Sequence, residues 1–454
     1  VVSNFVAAGF ETLASILDRF MKSEFYDDHF TREQISNFFG QTCNKFLHSY
    51  GQNFAGRKSY TNYSMNEAKL LEKCRSFNFF NDSEYIVDSS GFQASIGIID
   101  KREFKILFDM YYKFVEEYNH VADKFFILDV PPGPGCKLFN NFNEIYDLNL
   151  KSYQTAQLLP KPIRDKIIYI HHFRTPKLWD IYTKIMVDND MFGSFKYHAT
   201  GGIVANMSSD MEIPCIIYVI PMIPLINQAL KHKRDTLHFH VLGGANFRDI
   251  LFYELFKIHV MNKHKLNLEI TYDSSGLFKG LMVGRFIPVV HDGMVKKVDI
   301  KTSSLDMRFK DDMKIIDIYR KCISDMSDKF GLKRITMDEV YSPKTGTFYE
   351  ELRVYSLLYM LKAYADVQDK MRDEVPDLYK LYDSGESSLF NSKAEEITRN
   401  LNGGKISKKQ KVKTYSISRS LDMLTSLDEN YCKYIVSKYL SKDEFSYESR
   451  ENLI

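Results

Sequence analysis

The chain has 454 residues, 44% of them hydrophobic and 14% aromatic, enough to bury a sizeable core and to exclude a disordered segment. Acidic and basic residues nearly cancel, at a formal net charge of +2, which excludes a global polycation; any contact with nucleic acid has to come from local patches. The six cysteines (Cys43, Cys74, Cys136, Cys215, Cys322 and Cys432) form no CxC or CxxC pair, the usage of reduced thiols in a cytosolic protein rather than of a disulfide framework or zinc knuckle.

In chain order, residues 1–50 read as helices, because Phe5, Phe10, Leu13, Ile16, Leu17 and Phe20 recur at helical spacing. A helical N-terminal extension over 1–55 is therefore expected. The N-terminus has no basic start ahead of its apolar residues, so no signal peptide is expected and the location expected is cytoplasmic, host cytoplasm if the chain is encoded by a phage. From about residue 80 to 280, short apolar strands alternate with helical segments. The strand candidates are 84–88, 124–130, 166–173, 194–200, 236–243 and 267–273; stretches such as 102–119 and 245–261 have helical periodicity. This alternation predicts an α/β fold with a parallel sheet, and six such units favour a (β/α)8 TIM barrel over 56–305. Residues 58–64 and 281–287 are the candidates for its two missing strands, and an open doubly wound sheet is the alternative.

The longest apolar run, Ile213 to Ile226, contains three prolines and is shorter than the roughly 20 residues of a spanning helix, so no membrane is expected as a partner. Asp292-Gly293 between apolar runs predicts a β-hairpin. The remainder, 306–454, reads as mainly helical, with a long amphipathic helix over 350–372. Within 401–420 no acid occurs; Gly403-Gly404 and then Lys405, Lys408, Lys409, Lys411 and Lys413 predict a basic loop.

In a parallel barrel the strand C-termini face one pocket. Here they carry, in order, Asp88 with Ser89, Asp129, His171 and His172, Gly201-Gly202, Gly243-Gly244 and Asp273. A lone strand-end Asp is more often a helix cap, and paired glycines usually just turn the chain. As an ordered set they offer carboxylates, imidazoles and close backbone approach, with Phe92 able to stack on a flat ring. Two carboxylates across a pocket suit cleavage of a glycosidic bond, one as nucleophile and one handling the leaving group's proton. His238 and His240 form an HxH on a strand, a weaker metal candidate.

The order of these motifs resembles the tRNA-guanine transglycosylase family. Asp88-Ser89-Ser90-Gly91-Phe92-Gln93 is similar to the family's D-S-G-G-[FY]-Q, with Ser90 in place of one Gly. Gly201-Gly202-Ile203-Val204-Ala205 resembles its G-G-L-A-V loop, Leu242-Gly243-Gly244 a later strand end, and Asp273 falls where the family has its nucleophile. The similarity spans roughly residues 84–300 and implies a TIM barrel that swaps guanine for a free 7-deazaguanine base through a covalent Asp–nucleotide intermediate. It implies that Asp273 attacks C1′ and that Asp88 is the general acid/base. Base-binding residues would be Ser89, Phe92, Asp129, Gly202, Ile203 and one of His171 and His172, with the target nucleotide flipped out of the stack.

The departures redirect the expectation. The family's zinc site needs a CxC beyond the barrel, and none follows Ile300. Met207 stands where the family often has a Glu that meets an aminomethyl cation, which implies a neutral substituent such as the nitrile of 7-cyano-7-deazaguanine. These losses resemble the DNA 7-deazaguanine transglycosylases of bacteria and phages, whose modified base shields DNA from restriction. The expectation is thus a metal-free, cofactor-free DNA-guanine transglycosylase, with Lys279 and the basic loop at the backbone phosphates. The alternatives are a zinc-less tRNA enzyme, a non-catalytic nucleic-acid-binding barrel subunit, and a hydrolase that only removes a base.

Overall fold

A computed structural model of the chain describes residues 4–8, 43–76, 83–132, 136–138, 142–201, 214–244, 247–273, 287–291, 294–298, 347–401 and most of 417–439. Eight parallel strands close into a barrel: β1 (Phe5–Ala8), β2 (Lys45–Ser49), β3 (Glu84–Asp88), β4 (Lys124–Phe126), β5 (Ile167–His171), β6 (Tyr197–Thr200), β7 (Thr236–Val241) and β8 (Asn267–Asp273). Each strand pairs with the next in sequence, and β8 returns to β1 through Tyr272 opposite Phe5 and Asp273 opposite Val6. Helices cover the outside, among them Tyr63–Ser76, Lys101–Glu117, Phe142–Leu158, Pro176–Asp188 and Phe247–His264. The fold is a (β/α)8 barrel.

The expected helical extension over 1–55 is corrected at two places. Phe5–Ala8 and Lys45–Ser49 are the first two barrel strands, so the barrel begins at Phe5 and not at residue 56. Each is only four or five residues long, Phe5–Ala8 wholly apolar and Lys45–Ser49 with just two apolar residues, so neither carries enough pattern to separate a strand from a helical face. Residues 58–64 are no strand: they form turns and the start of the helix Tyr63–Ser76. The other candidate, 281–287, lies outside the described residues except for Ile287, which opens the hairpin strand β9 (Ile287–His291). That strand pairs antiparallel with β10 (Met294–Val298), with Met294 opposite His291, as the expected hairpin requires.

Polar side chains pair across neighbouring strands at the N-terminal end of the barrel. Lys124 pairs with Glu84 at 2.8 Å and lies over the Tyr197 ring, while His238 pairs with Glu269 at 2.7 Å. An open recess of about 540 Å³ at this end is lined by Asn44, Lys45, Ser83, Glu84, Asp123, Lys124 and Tyr197. These residues sit at strand N-termini, the end that in this fold serves stability rather than chemistry.

The described part of the C-terminal region is helical, and it packs on the barrel. Thr347–Asp383 lies along Phe247–His264, with Gln368 Oε1 accepting from the Asn4 backbone N–H at 2.8 Å. The helix Glu429–Tyr439 docks elsewhere: Glu429 accepts from Trp179 Nε1 at 3.2 Å and from Asn227 Nδ2 at 3.0 Å. No helix among the described residues is long and apolar enough to cross a membrane.

Between β5, β6 and their covering helices lies a buried histidine pair. His171 Nε2 is 3.2 Å from His198 Nδ1, with His171 stacked on Phe173 and His198 on Phe192. Burial first, then neighbouring positive charge, lowers both: His198 is pushed down to about 3, and His171 lies well below the usual imidazole range. The unfolded chain takes up these protons near pH 6.5 and the fold does not, so their contribution is intact above that pH and lost as pH falls below it. Between pH 6.5 and 5 His198 is expected to cost up to about 2 kcal/mol, with a cost of the same sign from His171. Denaturant titrations across this range are expected to show a shallower pH dependence for His198→Gln than for the wild type.

Candidate active site

Parallel register brings the polar strand ends together. Ser49 on β2 is directly opposite Asp88 on β3, and its Oγ donates to Asp88 Oδ2 at 3.2 Å. Ser49 Oγ in turn accepts from Gln93 Nε2 at 3.0 Å and lies 2.7 Å from Ser90 Oγ, which also accepts from the Gly51 N–H at 2.7 Å. Ser90 has φ 71° and ψ 23°, the left-handed region, where the resembling motif has Gly. An L-residue there costs roughly 1–2 kcal/mol, and the two Ser90 hydroxyl contacts offset it. Gly51 makes room, since a Cβ on it would stand 2.7 Å from Ser90 Cβ.

Gly91 is required for a different reason. A Cβ at this position would lie 1.6 Å from the Asp129 carbonyl oxygen, so the segments after β3 and β4 can meet only through a glycine. That approach places Asp129 beside the Asp88 segment. Asp129 is buried, and its Oδ2 is 2.7 Å from His172 Nε2. His172 also borders the strand end of β6, its Cε1 3.5 Å from where a Gly201 Cβ would be.

The third carboxylate, Asp273, ends β8 and is buried. Its Oδ1 accepts from the Gly243 N–H at 2.8 Å and lies 3.2 Å from His240 Nε2. His240 Nδ1 is 2.9 Å from Thr271 Oγ1, its cross-strand neighbour.

The three carboxylates are thus unequally supported. Asp129 and Asp273 each have an imidazole, whereas the partners of Asp88 are neutral: the Ser90 backbone and the Ser49 hydroxyl. Burial, foremost, together with the charges of Asp129 and Asp273, outweighs those two hydrogen bonds and pushes the Asp88 carboxyl up to about 6. A carboxyl that titrates near neutrality can both give and take a proton.

Of the residues expected from sequence, Asp88, Ser89, Phe92, Asp129, His172 and Asp273 fall at the C-terminal end of the barrel. Phe92 is half exposed on the short helix Gly91–Ser95, and Ser89 is fully buried with an Oγ that has no hydrogen-bond partner among the described residues. His171 is corrected: the strand alternation that turns His172 inward turns His171 outward, to His198. Gly202, Ile203, Met207, Lys279, Lys405, Lys408, Lys409, Lys411 and Lys413 lie outside the described residues. The HxH candidate is also corrected, because His238 and His240 each engage a different carboxylate on β8, Glu269 and Asp273. Among the described residues no group of three or more His, Cys, Asp or Glu side chains is disposed to hold a metal ion.

Two site residues escaped the sequence reading. Ser49 was hidden with the unrecognised strand β2. His240 was visible only as a metal candidate; the signal that it faces Asp273 is the shared register of β7 and β8. Compared with known proteins, the chain matches no family model and no curated protein.

The raised Asp88 carboxyl has a stability consequence with a definite sign. The fold holds this proton more tightly than the unfolded chain, where it leaves near 3.8. Its stabilising effect is therefore complete below that pH and is lost as pH rises through about 6. Asp88→Asn is expected to stabilise the protein at pH 7.5 by up to about 3 kcal/mol, with the gain vanishing near pH 3.5. Paired chemical denaturation at the two pH values measures it. In the same assay Gly91→Ala is expected to destabilise by at least about 3 kcal/mol, through the clash with Asp129.

Proposed function

We propose that this protein is a nucleic-acid guanine transglycosylase that exchanges guanine in DNA for a 7-deazaguanine, with 7-cyano-7-deazaguanine as the incoming base. The observation that carries the proposal is the unequal pair Asp88 and Asp273 at one end of the barrel. One carboxyl is pushed up to about 6 by burial, and the other is oriented by an imidazole and a backbone N–H. Carboxyls in environments this different suit a proton-handling group and a nucleophile.

In the proposed reaction Asp273 attacks C1′ of the flipped nucleotide, the C1′–N9 bond breaks, and guanine leaves with a proton from Asp88. The incoming base returns a proton to Asp88 as its N9 attacks C1′ and displaces Asp273, so configuration is retained. Ser89, Asp129 and His172 would meet the base edge, with Phe92 stacking on its face and Gly202 and Ile203 presenting backbone groups. Lys279 and the lysines of 405–413 would meet phosphates, giving salt-sensitive affinity. DNA is the proposed polymer because the sequence departs from the tRNA enzymes at the zinc ligands and at Met207. On this reading the protein has no need of a cofactor and works where DNA is modified against restriction.

Incubation with duplex DNA, single-stranded DNA or tRNA in the presence of 9-deazaguanine, followed by a denaturing gel, tests the proposal. A shifted band with DNA, absent in Asp273→Asn, is expected. A band with tRNA alone would move the substrate to tRNA, and no band with any of the three would refute the transglycosylase. Where exchange occurs, its rate is expected to depend on pH with an inflection near 6, abolished in Asp88→Asn.

A further inference from the structure

The geometry points to His240 as a positioning residue: with the Gly243 N–H it pins Oδ1 of Asp273, turns Oδ2 toward the substrate, and stabilises the carboxylate when it is expelled. This rests on the transglycosylase reading. An ionised carboxylate only accepts hydrogen bonds, so the 3.2 Å contact from His240 Nε2 to Asp273 Oδ1 places a proton on Nε2. The other ring nitrogen, Nδ1, then accepts from the Thr271 hydroxyl at 2.9 Å. The Asp273 carboxylate thereby selects the tautomer, the Thr271 hydroxyl satisfies the remaining nitrogen, and the ring packs against Phe126 with centroids 5.3 Å apart. His240 is buried, so few other orientations are open to it.

Both described donors meet the same oxygen. Gly243 N–H reaches Oδ1 at 2.8 Å, and His240 Nε2–H reaches it from the neighbouring strand. Attack by Oδ2 forms the Oδ2–C1′ bond, the electron pair of the C1′–N9 bond goes to N9, and Oδ1 becomes the carbonyl oxygen of the ester. In the second displacement the Oδ2–C1′ bond breaks and its electron pair returns to the carboxylate, where the two N–H groups take up the restored charge. Their effect is largest on this step, because a carboxylate accepts stronger hydrogen bonds than an ester carbonyl. Sequence alone placed His240 with His238 as an HxH pair; the register of β7 and β8 gives it this role instead.

The test compares His240→Phe, His240→Gln and Thr271→Val with wild type in two measurements. In the first, the covalent complex is formed with an oligonucleotide, and its decay is followed after addition of free 7-cyano-7-deazaguanine. His240→Phe is expected to lower kcat roughly 10- to 100-fold, the value of a hydrogen bond to a charged group, with KM within about threefold of wild type. The covalent complex should then outlive that of the wild type, and His240→Gln, which keeps an N–H donor, should recover most of the rate. Equal losses in the Phe and Gln variants, or a wild-type decay rate in His240→Phe, would overturn the proposal.

The second measurement needs no reaction. Nitrogen NMR of histidine-labelled protein reports which ring nitrogen of His240 carries the proton. Nε2 is expected, with a resonance that moves in Thr271→Val and in Asp273→Asn. A proton on Nδ1 alone would overturn the positioning role whether or not the protein is a transglycosylase. Conversely, wild type that traps no nucleic acid but shows the expected His240 resonance would sink the activity while leaving the Thr271–His240–Asp273 arrangement standing.

Discussion

The cost of holding three carboxylates at one dry end of a closed barrel organises this structure. Two are met by imidazoles, His172 at Asp129 and His240 at Asp273. The third, Asp88, has among the described residues only the neutral Ser90 and Ser49 as hydrogen-bond partners and retains its proton toward neutral pH. The three are chemically identical in sequence; what separates them is the donor each finds on the next strand. Without the differing donors the cluster would be three like charges repelling one another.

Backbone conformation sustains that arrangement at close quarters. The left-handed Ser90 aims its hydroxyl at Ser49 and the Gly51 N–H, while Gly91 lets the chain pass the Asp129 carbonyl. The serine at position 90 accepts a conformational cost that glycine would avoid, and in return it joins the hydrogen-bonded set around Asp88. Strain of this kind is held in place by the surrounding barrel. The opposite end has another character: there Lys124 pairs with Glu84 and His238 with Glu269.

The barrel was largely legible, because six of its eight strands are apolar runs separated by helices with clear periodicity. The strand Glu84–Asp88 and the helix Lys101–Glu117, with its Asp100 and Glu103 capping box, lie within a residue or two of where pattern puts them. The first two strands were not legible. Phe5–Ala8 carries no polar residue to mark alternation, and Lys45–Ser49 is too short to separate from its surroundings. Losing β2 also concealed Ser49, whose only distinction is that Asp88 stands opposite it.

Sequence by itself determined that the chain folds as alternating strands and helices, and that carboxylates, imidazoles and glycines gather at the strand ends. Those are consequences of local periodicity and of one topological rule. Tertiary structure decided which of two adjacent histidines faces the pocket, since strand alternation turns His172 inward to Asp129 and His171 outward to His198. It also decided that His240 meets Asp273 and that burial raises the Asp88 carboxyl toward neutrality. Register and burial are properties of the closed barrel, set by which residues lie opposite one another on neighbouring strands and by how much water is excluded there. Neither is encoded in the spacing of residues along a single strand.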